Sequence, residues 1–265
     1  MAYIRCRLRP GVSETIVLQQ LHALGLRDES IISDLADAVH LFGSLPDHAI
    51  ASLEQPPFTF LISEITPYDP TIDWEQQWAN SGADYREGHV YLDLQEGRQI
   101  KLKPGPGFGD LSHPTTRLVI DLMRPHVQGR EVVDFGSGSG VLSLAAAALG
   151  ATSVLGVEID PHALLHSQEN ALLNDLQDIV TFADPADIDI TLDSTSIYLM
   201  NMIPAEQEQL LNGLGFKPPL LGTWFVSGVL AEKRDEYLQT ATHRGLQLIN
   251  QTHEAGWLAF LFTQM

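Results

Sequence analysis

Residues 132–140 read VVDFGSGSG: three glycines alternate with two serines directly behind an apolar run. A strand ends there, and the alanine- and leucine-rich segment that follows, ending at Gly150, reads as a helix. A glycine turn between a strand and its helix commits this part of the chain to an α/β unit. It also leaves backbone bare of side chains where nucleotide-type ligands bind in such units.

Two details separate the candidate ligands. The dinucleotide fingerprint G-x-G-x-x-G, counted from Gly136, needs glycine or alanine at position 141, and Val141 stands there. An acid, Asp134, also lies two residues before the first glycine. A pyrophosphate would meet that carboxylate, whereas a ligand carrying an ammonium group would be attracted to it. S-Adenosylmethionine has an ammonium and a carboxylate on its amino-acid tail. Asp134 is expected to accept from the ammonium, directly or through water. Backbone N–H groups around Gly138 and Gly140 are expected to meet the carboxylate at the helix N-terminus. Gly136 and Gly138 could instead simply make a tight turn.

Glu158 closes the next strand, in GVEID, eighteen residues after Gly140. An acid at that place can take both ribose hydroxyls. Ile159 would pack on the adenine, and Asp184, in TFADP after the third strand, would reach its amino group. Asp160 before Pro161 reads as a helix N-cap with proline in the first turn. His162 and His166 have the spacing of H-E-x-x-H, but Ala163 takes the place of the glutamate, so they read as surface or packing histidines and no metal site is expected.

The rest of the chain supplies the setting. Residues 1–65 read as a small α+β unit, with a strand at 2–8, a helix at 14–25 and a second strand at 58–65; segment 30–52 is ambiguous. Residues 66–84 read as a linker helix presenting Trp74 and Trp78 on one face. Segment 89–105 reads as a hairpin turning at Glu96-Gly97, and 103–116 as a loop rich in glycine and proline. From about 117 strands alternate with helices, a pattern of mostly parallel, doubly wound sheets. Strands are expected at 131–135, 153–158, 178–183, 196–201, 222–229, 246–253 and 257–263, and helices at 115–124, 204–213 and 231–243. The last two strands are separated by three residues, too few for a parallel crossover, so they must be antiparallel.

Fifteen Lys and Arg stand against 34 Asp and Glu, a formal charge of −19. That argues against nucleic acid or an anionic membrane as the main partner and suits solubility or a basic partner. The one cysteine, Cys6, allows no disulfide within the chain. The start lacks the apolar core of a secretory signal, and the apolar-looking run 141–157 is too interrupted to span a bilayer. The expectation is a soluble, cytoplasmic, monomeric protein.

Several further motifs resemble one family. GFGDLSHPTT (107–116), DFGSGSGVLSLAAAALGA (134–151), GVEIDPHAL (156–164), ENALLN (169–174), Asn201 after an apolar strand, VSGVLAEK (226–233) and the terminal GWLAFLF look like the ribosomal protein L11 methyltransferases, the PrmA family. The resemblance runs from about residue 70 to the end. It implies a class I methyltransferase domain at 85–265, with a seven-stranded sheet and a reversed final strand. The small domain at 1–65 would recognise a basic, lysine-bearing ribosomal protein, and the chemistry would be methylation of lysine side chains and an N-terminal amine. The FG…HPTT loop would lie over cofactor and substrate, with Phe108 covering the adenosyl or acceptor region and Gly107 and Gly109 allowing movement. Asn201 would face and orient the acceptor amine. His113 would take the released proton or hold the loop, while Thr115 and Thr116 would cap the following helix and border the cofactor. The chain departs from the family pattern at Leu111, where a glycine is usual, at the added charge of Asp110, and at NMIP (201–204) with Pro204. A same-scaffold methyltransferase with another acceptor, or an inactive cofactor-binding module, stands as the alternative.

Overall fold

A computed structural model describes residues 2–33, 39–67, 84–95, 97–109, 111 and 113–265. The linker segment with Trp74 and Trp78, and also Glu96 and Asp110, lie outside the described residues. The chain forms two compact units, Met1–Ile72 and Asp73–Met265.

The first unit is an antiparallel sheet of order β2-β3-β1-β4, with β1 at Ala2–Leu8, β2 at Arg27–Ser33, β3 at Val39–Leu45 and β4 at Ile62–Pro67. Alternate residues of β1 (Ile4, Cys6 and Leu8) are buried, as a half-covered strand requires. Helix α1, Glu14–Ala23, buries Val17 and Leu21, one turn apart. Burial pushes the Cys6 thiol up to about 12, so it is an inert core residue. A short helix, α2, follows β3 at Asp47–Ile50. The apolar run 58–65 is not one strand: it begins as another short helix, α3 at Phe58–Leu61, and only then enters β4. Turn bonds win over the run's β propensity, since the Phe58 amide donates to Gln55 O and the Phe60 amide to Pro57 O, both at 3.0 Å.

The second unit carries a three-stranded antiparallel sheet, β5 (Asp84–Arg86), β6 (His89–Gln95) and β7 (Arg98–Leu102), in which β6 and β7 are the expected hairpin. Its main body is a seven-stranded sheet of order β10-β9-β8-β11-β12-β14-β13. The strands are β8 (Glu131–Phe135), β9 (Ser153–Val157), β10 (Val180–Ala183), β11 (Ile197–Asn201), β12 (Thr223–Leu230), β13 (Leu246–Glu254) and β14 (Trp257–Gln264). Neighbours from β10 to β12 are parallel, and β14 runs antiparallel to both β12 and β13. The short link after Glu254 forces that reversal, as the sequence required.

Both faces of this sheet are covered. Along β11, Ile197 and Leu199 enter one core while Tyr198 and Met200 enter the other. Helices α4 (Pro114–Met123) and α5 (Val141–Ala148) close the first face. On the opposite face Phe135, Tyr198 and Trp224 stack, the last two with ring centroids 4.6 Å apart. Helices α6 (Pro161–Leu173), α7 (Pro204–Gly213) and α8 (Arg234–His243) complete the α/β alternation. After β8 the chain builds outward through β9, then returns on β8's other side as β11. The strand order therefore reverses at β8, and ligands of open α/β sheets bind outside the carboxyl ends of the strands at such a point.

Candidate active site

Gly136, Gly138 and Gly140 all take left-handed backbone, with φ between 54° and 81°. The turn folds back on itself and on β9: the amides of Gly136 and Ser137 donate to Val157 O at 2.8 and 3.1 Å, and Gly140 donates to Ser137 O at 2.8 Å. What rests on its bare backbone is a second glycine-bearing segment of the same chain. The Ser139 amide donates to Phe108 O at 2.8 Å, and Ser139 Oγ to Gly109 O at 3.0 Å. A Cβ on Gly107 would lie 2.5 Å from Ser139 N, and one on Gly138 would lie 2.6 Å from Phe108 O. Both positions therefore need glycine for close approach.

Glu158 reaches into the same turn. Its Oε2 accepts from the Gly138 amide at 2.9 Å, and its Oε1 accepts from the amides of Ile159 and Asp160 at 2.9 and 3.0 Å. The amides of Gly138 and Gly140 thus do not point outward as expected: one holds Glu158 and the other closes the turn. Asp160 caps α6 through the His162 amide at 2.8 Å, as expected. Ile159 is 71% exposed and Phe108 56%, two large apolar side chains left open beside the turn. Asp184 accepts from the Ala186 amide at 2.8 Å and so caps a short 3-10 turn after β10.

Beneath the turn Asp134 is 1% exposed. Its Oδ2 accepts from Ser143 Oγ, on the first turn of α5, at 2.6 Å. Its Oδ1 is buried and has no hydrogen-bond partner among the described residues. Burial pushes this carboxyl up to about 7, while the Ser143 hydroxyl and amide pull it back and the charge of Glu158 pushes it further. A buried, unpartnered acid oxygen is costly unless a donor arrives from elsewhere.

Asn201 ends β11 beside this turn, since Met200 pairs with Phe135 and Asn201 with Ser227. Its Nδ2 donates to Thr116 Oγ1 at 3.4 Å. Met202 packs its sulfur against Gly136. Gln207 of α7 donates to Met202 O at 2.7 Å and to Ser227 O at 3.0 Å, and Tyr237 donates to Gln207. That arrangement fixes the turn after Asn201, and the unusual Pro204 opens α7 at its first position, where proline's fixed φ suits a helix start.

The HPTT element corrects one expectation. The helix cap is His113, whose Nδ1 accepts from the Thr115 amide at 3.4 Å, not Thr115 or Thr116. Thr115 Oγ1 lies 2.8 Å from the same nitrogen, and both threonines are buried. His113 also sits edge-on between Phe108, at 5.7 Å, and Trp257, at 4.9 Å between ring centroids. Sequence reasoning did not single out Trp257, whose one signal was its place in GWLAFLF. Arg117 pairs with Glu254 and donates to Leu111 O at 2.6 Å, tying the loop to α4 and to the β13–β14 turn. Leu111 holds φ at +69° and is 8% exposed.

This arrangement can be set against known proteins. The family model for ribosomal protein L11 methyltransferase (PrmA) matches residues 58–265. The chain belongs to that family. A ribosomal protein L11 methyltransferase of Methylococcus capsulatus is 32% identical over 197 residues, covering 70% of this chain and 66% of that protein. One from Geobacter metallireducens is 32% identical over 218 residues, covering 75% and 71%, and one from Azotobacter vinelandii is 29% identical over 262 residues, covering 94% and 83%. The crystal structure of a ribosomal protein L11 methylase from Lactobacillus delbrueckii subsp. bulgaricus shares the fold, at a TM-score of 0.53 and 24% identity over 66% of this chain and 98% of that one. Membership implies use of S-adenosylmethionine, and the residues present fit it: the unpartnered Oδ1 of Asp134 calls for a cationic donor at the glycine turn. Among the described residues no helix is long and apolar enough to cross a membrane.

Proposed function

We propose that the protein methylates lysine side-chain and N-terminal amines of ribosomal protein L11, with S-adenosylmethionine as donor. The observation that carries this reading is the juxtaposition, at the point where strand order reverses, of the glycine turn over buried Asp134 with Asn201 and Thr116 beside it. Asp134 would hold the cofactor's ammonium, Glu158 its ribose, Ile159 and Asp184 the adenine end, and Phe108 would cover it. Gly136, Gly138 and Gly140 give the backbone room. When bound, the cofactor supplies an electrophilic methyl group on a sulfonium.

The acceptor amine must arrive neutral. A free lysine has a pKa near 10.4, so deprotonation at pH 7 costs about 4–5 kcal/mol unless the site assists. Burial against Phe108, His113 and Trp257 disfavours the ammonium and lowers that cost. A carboxylate at the acceptor would do the reverse. The Asn201 amide carbonyl can orient the amine without holding it charged. Thr116 fixes the Asn201 side chain from its Nδ2 end, which leaves the carbonyl to face the acceptor. We assign His113 to holding the loop, a reading supported by the engagement of its Nδ1 by Thr115. The unit built on residues 1–65 would recognise the basic substrate, the segment 66–84 would link, and 85–265 would catalyse; the formal charge of −19 suits a basic partner.

The test is incubation of purified L11 with the protein and cofactor, followed by tandem mass spectrometry. Methyl increments on L11 amines support the reading. Cofactor binding with no methyl increment on L11 points to a different acceptor or an inactive module and overturns it.

A further inference from the structure

Strand β7 is an edge of the three-stranded sheet, and its outward side is met by helix α6. Asn174, just past the helix, donates to Lys101 O at 2.7 Å and accepts from Lys101 N at 2.9 Å, as a neighbouring strand would. One turn back, Asn170 Oδ1 accepts from Lys103 N at 2.8 Å. One turn further back, the buried His166 places Nε2 2.6 Å from Lys103 O and accepts at Nδ1 from Gly107 N at 3.1 Å. The register works because four residues of helix advance about 6 Å and two residues of strand about 6.6 Å.

This ladder ends at the cofactor site. Asn170 Nδ2 also donates to Ser139 O at 2.9 Å. One side chain therefore joins the segment entering the FG loop to the glycine turn on which that loop rests. The Gly107 N–H can only donate, so His166 Nδ1 must be an acceptor and Nε2 must carry the proton given to Lys103 O. Burial lowers the His166 pKa and favours that neutral form. Gly105 lies flat against the ring: a Cβ there would lie 2.5 Å from Nε2 and Cδ2.

We propose that His166 and Asn170 are positioning residues for cofactor binding, holding segment 103–109 against the glycine turn. This rests on the reading that the turn binds S-adenosylmethionine. The experiment measures dissociation constants for S-adenosylmethionine and its demethylated product by calorimetry, with steady-state kinetics, for the full chain and for His166→Ala, His166→Gln and Gly105→Ala. Losing two hydrogen bonds at the ring predicts a rise in dissociation constant and in KM for the cofactor of about 10- to 30-fold in His166→Ala. Turnover at saturating cofactor should change far less. Glutamine, with one acceptor and one donor end, should recover most of the affinity, and Gly105→Ala should mimic the loss by displacing the ring. Unchanged affinity in both His166→Ala and Gly105→Ala overturns the proposal, as does an equal loss in the glutamine variant. Hydrogen exchange on the unsubstituted protein covers the case of variants that do not fold. The amides of Gly107, Lys103 and Ser139 should be protected together, and exchange of Gly107 at the rate of an open loop overturns the ladder. If the unsubstituted protein binds no cofactor, the reading of the turn fails, and these exchange rates alone decide whether the ladder stands.

Discussion

Replacing Asp134 by asparagine separates two effects that a single acid residue combines. The carboxyl is pushed from an ordinary 3.8 to about 7 by burial. Its folded-state pKa is raised, so the stability this group contributes is fully present below about pH 4 and is lost as pH rises through 7. A rise of about three pH units, at about 1.36 kcal/mol for each, gives a penalty of about 4 kcal/mol at pH 8. The Asp134→Asn variant would escape that penalty but leave an amide poorly matched at the buried position, at about 1–3 kcal/mol. Without cofactor, Asp134→Asn is therefore expected to be about 1–3 kcal/mol more stable than the native chain at pH 8. At pH 5 it should be no more stable, or less. Its affinity for S-adenosylmethionine should fall about 10- to 100-fold, because a charge-assisted hydrogen bond to the ammonium is replaced by a neutral one. Urea unfolding at the two pH values and calorimetric titration read both effects. A variant equally destabilised at both pH values, with native cofactor affinity, would refute the reasoning.

Three further substitutions test other parts of the site. Asn201→Ala should lower turnover about a hundredfold by releasing the acceptor amine while leaving the cofactor dissociation constant within about threefold, measured by kinetics and calorimetry; equal losses in both contradict an orienting role. Gly107→Ala should abolish measurable cofactor binding with the far-UV spectrum intact, since its methyl would lie 2.5 Å from Ser139 N. Leu111 combines left-handed backbone with a buried side chain, so Leu111→Gly should be about 1 kcal/mol less destabilising in thermal unfolding than Leu111→Ala, because both lose the packing but only alanine keeps the strain.

Much of the fold was legible because its signals are local. The glycine turn, Asp160-Pro161 and the three residues after His253 each dictate their own geometry, and the alternation of strands and helices from 117 onward fixes a doubly wound sheet. The errors came where short-range bonds competed. Phe58–Leu61 has the composition of a strand but follows two prolines and closes helical turns instead. The Thr-Thr pair looks like a cap, yet the histidine before it supplies the acceptor. Other features of the site were invisible because they join distant residues. Nothing near Ser139 announces that its amide meets Phe108, and nothing near Asn170 or His166 announces partners more than 55 residues earlier. Trp257 becomes a site residue only through its contact with His113.

The central claim is that the turn at 136–140 accommodates the amino-acid tail of S-adenosylmethionine above a buried acid. Calorimetric titration of the full chain with the demethylated cofactor, alongside a nicotinamide dinucleotide, tests it most directly. The account predicts saturable one-to-one binding of the first and none of the second. Binding of the dinucleotide alone would contradict it.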